Sequence, residues 1–177
     1  CTFIGLDEWV GVPPDNEGSC HYFFQKHLLG PLKIPAANIH LFDALSDDLD
    51  KQCRTMDEAI AAKGGIDLMI VGIGMNGHIG FNEPGVSFDN YSHHISLDPI
   101  TLSVGKKYFA TAIKLGKGIT LGLKHLMQTK KVLLIANGVK KAEVIKRAVE
   151  GAVSNGFPAT IMQTHPNGWV MADEEAA

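Results

Sequence analysis

Residues 67–85, DLMIVGIGMNGHIGFNEPG, decide the fold. Asp67-Leu68-Met69-Ile70-Val71 is a short apolar run without polar alternation, set between Gly64-Gly65 and Gly72. That pattern predicts a strand buried on both faces of a parallel sheet. Past Val71 the chain turns to glycine and polar groups: Gly72, Gly74, Asn76, Gly77, His78, Asn82 and Glu83. Open α/β sheets bind ligands beyond the carboxyl ends of their strands, so the site is expected here.

Gly72-Ile73-Gly74-Met75-Asn76-Gly77 spells the G-x-G-x-x-G of dinucleotide-binding folds. That reading requires a helix opening at the third glycine. His78 and the turn signature Asn82-Glu83-Pro84-Gly85 stop such a helix within two turns. The glycines are better read as letting the backbone approach a ligand, with Gly74 and Gly77 lining it, or as taking positive φ. No nicotinamide, flavin or other cofactor is expected.

Working outward, residues 132–136 form a second clean buried strand, followed by an Asn137-Gly138 turn and a helix over 140–150 that ends at Gly151. Upstream, Ser46 reads as the N-cap of a helix running to about Lys63, with Asp47, Asp48 and Asp50 in its first turn. Residues 2–6 predict a strand that carries Asp7-Glu8-Trp9 at its carboxyl end, then a proline-marked loop over 10–18 and a helix over 19–29 ended by Gly30-Pro31. Short strands are expected at 39–42 and 119–121 and a short helix at 123–128. Residues 102–115 have some helical spacing. A last strand is expected at 158–164, with a frayed acidic tail after Asp173. Strands alternating with helices predict one α/β domain: three layers, a mostly parallel open sheet with helices on both faces, Rossmann-like.

The chain has 177 residues, 45% hydrophobic and 20% charged, enough for one domain with a proper core. A net charge of −3 without a long basic cluster argues against nucleic acid and anionic membranes as partners. The longest apolar runs are too short to span a bilayer. Cys1, Cys20 and Cys53 are odd in number and form no C-x-x-C pair, which favours a reducing, cytoplasmic setting. The sequence opens at Cys1 directly in strand-like residues, so a first segment of the fold is expected to be missing from it.

Three strand ends then converge. One offers Asp7 and Glu8, the central one Asn76, His78 and Glu83, and another a Gly138 turn with Lys140 and Lys141 at a helix N-terminus, a natural phosphate site. A carboxylate, a histidine paired with a second carboxylate and a phosphate cradle suggest proton transfers on a phosphorylated metabolite. Each residue also has a plain structural reading: Asp7 as a turn residue, His78 and Glu83 as loop braces, the lysines as a solvated helix face. His93-His94 reads as a surface pair, and zinc-ligand spacing is lacking.

Leu6-Asp7-Glu8-Trp9-Val10-Gly11, the loop from Gly72 to Gly85, and Lys141 followed by Ala148-Val149-Glu150-Gly151 resemble the glucosamine-6-phosphate deaminase/isomerase family across essentially the whole chain. The resemblance implies interconversion of an amino-sugar 6-phosphate with fructose 6-phosphate and ammonia, without a redox cofactor or catalytic metal. It implies Asp7 as the base that moves a proton between C1 and C2, and His78 as the acid/base that opens the pyranose ring. Glu83 would orient His78, and Asn76 stands where some members carry aspartate. Lys107 and Lys141 fall where the family holds the substrate phosphate.

The family normally begins with another strand and a Ser/Thr-Gly-Gly phosphate loop, which this sequence lacks. Residues 118–124, GITLGLK, together with LDEWVG, look similar to the branch assigned to galactosamine 6-phosphate. Two other readings stay open: a 6-phosphogluconolactonase-type hydrolase of the same fold, and a non-catalytic sugar-phosphate sensor. Lactonase loops normally lack the Asn82–Gly85 continuation, so Glu83 argues for a deaminase. Members of the family are often oligomers, which raises a homo-oligomer as a partner.

Overall fold

Glycines, prolines and side-chain caps set the element boundaries. The structure, a computed structural model, describes residues 1–109 and 113–177. Strand β1 (Phe3–Ile4) is followed after two residues by β2 (Asp7–Trp9). Ser19 caps α1 (Cys20–Phe24), its Oγ accepting the Tyr22 amide at 3.2 Å, and the chain widens into a π-helical turn over Gln25–Leu29. After β3 (Ile39–His40), α2 (Leu49–Ala62) starts at Asp48, whose carboxylate accepts the Lys51 amide at 2.8 Å. Ser46, the expected cap, instead accepts the Asp48 amide, because the aspartate lies closer to the free amides of the first turn. The helix stops at Gly64 and Gly65, both with positive φ.

Strand β4 (Leu68–Val71) leads into the glycine loop, and β5 (His93–Ser96) follows. Asp98 caps α3 (Pro99–Gly105), which tightens into a 3-10 turn over Lys106–Tyr108. The expected 102–115 helix therefore begins earlier and ends by Phe109; residues 110–112 lie outside the described residues. Next come β6 (Lys117–Thr120), α4 (Leu123–Gln128) and β7 (Lys131–Ala136). Last are α5 (Ala142–Glu150) and β8 (Gly168–Ala172).

The α/β class and its parallel pairing stand, with strands distributed over three sheets: parallel β1-β3, antiparallel β2-β6-β5 and parallel β4-β7-β8. Asp7, Glu8 and Trp9 are not the tail of the first strand but a strand of their own. The chain changes partner between Gly5, whose amide bonds His40 O at 2.9 Å, and Leu6, whose carbonyl accepts the Leu121 amide at 2.8 Å.

The apolar run at 158–164 is a 3-10 helix rather than a strand. Pro158 lacks an amide for a ladder, and the hydroxyls of Thr160 and Thr164 bond back to Phe157 O and Ile161 O, both at 2.8 Å. The last strand lies further on, where β8 pairs with Val132 to Ala136 of β7.

Met69, Val71, Val132, Leu134 and Ala136 face the main core with α2 and α5. Each fully buried Leu or Val there contributes roughly 1.5–3 kcal/mol. The other face of β4-β7-β8 is open. Ile70 and Trp169 are 57% and 56% exposed, so β4 is buried on one face only, and none of the described residues forms the expected layer above it. A second core of Trp9, Val12, Phe81 and Leu97 joins β2 to the glycine loop, with the Trp9 and Phe81 rings 4.6 Å apart and edge-on.

Candidate active site

No helix opens at Gly77; residues 72–85 form a tight loop with Gly77 at φ +82° and Gly80 at φ +58°. Thr120 and Asn82 pin it. The Phe81 amide donates to Thr120 Oγ1 at 3.2 Å, and Asn82 Nδ2 donates to Ile79 O and Leu121 O, both at 2.8 Å. A Cβ at Gly74 would lie 2.3 Å from the His78 ring, and one at Gly77 would lie 2.6 Å from Phe157. These glycines make room for protein atoms, a nearer reason than close approach of a ligand.

The loop aims His78 at Glu83. His78 Nδ1 lies 3.2 Å from Glu83 Oε2 and 3.0 Å from Thr101 Oγ1. Asn76 braces both partners, since its Nδ2 donates to Glu83 Oε2 at 2.8 Å and its Oδ1 accepts the His78 amide at 3.2 Å. The Asp98 amide donates to Glu83 Oε1 at 3.2 Å. Burial by itself pushes the Glu83 carboxyl up, but the hydrogen bonds of His78, Thr101 and Asn76 outweigh it and hold the group below its ordinary value. Glu83 is thus held as an anion facing Nδ1 of His78. The opposite edge of the ring, with Nε2, lies over Gly74.

Asp7 comes from the other side. Its backbone is held in β2 opposite Thr120, and its Oδ2 lies 3.5 Å from where a Cβ on Gly80 would sit. Some of its surface stays accessible, yet protein atoms crowd its carboxyl. That desolvation, reinforced by the Glu8 charge and opposed by Cys20 and His78, raises its pKa to about 6. A carboxylate of this basicity suits proton abstraction near neutral pH.

Glu8, expected to bind substrate, is committed elsewhere. Oε1 accepts the Trp9 and Cys20 amides at 2.8 and 3.0 Å; Oε2 accepts Ser19 Oγ at 2.6 Å and the His21 amide at 2.7 Å. Four donors fill a carboxylate's acceptor capacity, so Glu8 anchors the start of α1. Lys141 reaches back to donate to Ile73 O, at the first turn of the glycine loop. Burial, and then the neighbouring Lys107 charge, lower its pKa. These two lysines therefore converge, while Lys140 is exposed and the Gly138 amide is taken by the Asp173 carboxylate at 3.0 Å.

Thr101 and Asp98 were not singled out from the sequence. They lie in the segment with the weakest periodicity, and only the fold brings α3 against the loop. Among the described residues no group of three or more His, Cys, Asp or Glu side chains could hold a metal ion.

The family description "Glucosamine-6-phosphate isomerases/6-phosphogluconolactonase" matches residues 2–171. The chain belongs to this glucosamine-6-phosphate isomerase/6-phosphogluconolactonase family. A glucosamine-6-phosphate deaminase of Thermoanaerobacter pseudethanolicus is 40% identical over 175 residues, 98% of this chain and 69% of the relative. One from Lachnoclostridium phytofermentans is 43% identical over 165 residues, 93% and 70% of the two chains. The solved structure of a monomeric glucosamine-6-phosphate deaminase superposes with a TM-score of 0.94 at 32% identity, covering 99% of this chain and 73% of that one. A 6-phosphogluconolactonase from Trypanosoma brucei, 19% identical with a TM-score of 0.74, shares the fold.

In this member of the glucosamine-6-phosphate isomerase/6-phosphogluconolactonase family, Gly74 gives the site a sensitive point. Gly74→Ala forces the His78 ring to move, and misplacing a reacting group by about 1 Å costs on the order of 10² in rate. The expected result is a loss of about that size in kcat/KM with an unchanged circular-dichroism spectrum, measured by steady-state kinetics on the purified variant.

Proposed function

We propose that the protein is an amino-sugar-phosphate deaminase/isomerase that acts on glucosamine 6-phosphate or its C4 epimer, galactosamine 6-phosphate. The observation that carries this reading is the juxtaposition of Asp7, raised to about 6, with an imidazole bound through Nδ1 to the buried Glu83 carboxylate. Membership of the family and the likeness to named deaminases support it.

His78, presenting Nε2, takes the proton from the anomeric hydroxyl and returns one to the ring oxygen, which opens the pyranose to an aldehyde. Asp7 then removes the proton from C2; the electron pair forms a C1–C2 double bond as the C1 carbonyl pair moves onto its oxygen, which takes a proton from the C2 ammonium to give the enolamine. Returning the proton to C1 leaves a C2 imine. Water adds at C2, the C–N bond breaks, and ammonia leaves behind the ketose 6-phosphate. Atoms balance with one water consumed. Asn76 moves no proton and holds Glu83 and the His78 backbone in place. Lys107 and Lys141 bind the phosphate, for which the nearness of their two charges is suited.

The reading includes a cytoplasmic setting, in keeping with the free thiols of Cys1, Cys20 and Cys53. Among the described residues no helix is long and apolar enough to cross a membrane. Ketose 6-phosphate appearing with one equivalent of ammonia supports the proposal. A protein that only hydrolyses 6-phosphogluconolactone overturns it in favour of the second reading of this family.

A further inference from the structure

Nδ1 of His78 faces two oxygens, and the nearer is not the one on its own loop. Thr101 Oγ1 stands 3.0 Å away and Glu83 Oε2 3.2 Å. Thr101 lies in α3 and is 4% exposed, so water does not compete for its hydroxyl. Asn76 Nδ2 also reaches Thr101 Oγ1, at 3.4 Å, and Thr101 is among the groups that keep Glu83 ionised. One hydroxyl from outside the loop therefore bonds the His78 ring, reaches Asn76 and helps hold the Glu83 charge.

A hydroxyl is a donor and an acceptor at once, and its hydrogen rotates. Its oxygen accepts from Nδ1–H while its hydrogen turns toward the Glu83 carboxylate. A methyl group in its place offers neither, and leaves Glu83 alone to orient the ring. An imidazole held at one point is free to pivot about that contact. Held at two, with Gly74 beneath its far edge, it presents Nε2 in one direction.

We propose that Thr101 is a positioning residue for His78: it fixes the Nδ1–H tautomer and the ring orientation, so that Nε2 is the nitrogen that serves ring opening. The kinetic part of this inference rests on the deaminase/isomerase reading, whereas the tautomer does not.

The test compares Thr101→Val, which removes the hydroxyl and keeps the shape, with Thr101→Ser, which keeps the hydroxyl. Thr101→Ala is the second hydroxyl-free variant should the valine protein fail to fold. Nitrogen NMR shifts of the His78 ring are read first, without substrate. Wild type and Thr101→Ser should show Nδ1 protonated, and the hydroxyl-free variant a mixture of tautomers. Turnover of glucosamine 6-phosphate and galactosamine 6-phosphate is read second. Losing one orienting bond in a buried network should lower kcat about tenfold in the hydroxyl-free variant, with KM nearly constant and Thr101→Ser close to wild type.

A hydroxyl-free variant that keeps the wild-type tautomer, or changes it without loss of kcat, overturns the proposal. So does Thr101→Ser failing as badly as Thr101→Val, the mark of a packing role. If wild type turns over neither sugar, the deaminase reading fails while the NMR comparison still decides the tautomer.

Discussion

Asp7→Asn lowers kcat by roughly 10²–10⁴, the usual contribution of a positioned general base, with little change in substrate binding. The amide keeps the shape and the polar contacts of the carboxyl but cannot accept the C2 proton. The same substitution should stabilise the folded protein at neutral and alkaline pH. The folded-state pKa of about 6 stands above the ordinary 3.8, so the folded chain retains a proton that the unfolded chain has released across that window. Stability therefore falls as pH rises from about 3.8 to 6 and stays at the lower level above it. Asparagine removes that cost, a gain on the order of 1–3 kcal/mol at pH 8 given the remaining solvent access. In the wild type, kcat should fall as pH drops through about 6, where the base becomes protonated. A pH–rate profile and chemical denaturation at pH 5 and pH 8 check both signs. An Asp7→Asn enzyme with near-normal turnover removes Asp7 from the mechanism.

His78→Gln is expected to divide the reaction in two. Glutamine can still donate to Glu83 and fill the space over Gly74, but it cannot exchange a proton. Turnover of the cyclic amino-sugar phosphate should fall by roughly 10²–10³, within the range for general acid–base catalysis. A 4,5-dideoxy analogue, its C6 oxygen held by the phosphate, has no hydroxyl placed to close a furanose or a pyranose and needs no ring opening. On that analogue the variant should retain most of the wild-type rate, because the enolisation proposed for Asp7 does not pass through His78. Measuring kcat on both substrates separates the steps. Equal losses on the two would mean that His78 acts on the carbon skeleton and not on the ring.

The loop from Gly72 to Gly85 was legible because its chemistry is local. Glycines, a histidine and a carboxylate five residues on fix a turn and a pairing at short range, as the His78–Glu83 contact shows. The same holds for α2, whose acidic first turn and terminal glycines are sequence-adjacent signals, although Asp48 and not Ser46 caps it. What escaped depends on partners distant in sequence. β2 is a separate strand because Asp7 pairs with Thr120 across the chain, and nothing in Asp-Glu-Trp announces an antiparallel neighbour. Pro158 to Met162 is wholly buried, as a strand would be, and only the back-bonding threonines reveal the 3-10 helix. The site shows the same division. The His78–Glu83 pairing could be read from the loop, whereas the donors that occupy Glu8, from Trp9 and residues 19–21, and the approach of Thr101 to His78 depend on how α1 and α3 are placed.

The most direct test of the account is ammonia release by the purified protein, with glucosamine 6-phosphate and galactosamine 6-phosphate run side by side and Asp7→Asn as the control. Release from either sugar, lost in the variant, is the predicted result, and the ratio of the two kcat/KM values identifies the preferred C4 epimer. Wild-type protein that releases ammonia from neither, or an Asp7→Asn variant that releases it as fast, contradicts the account.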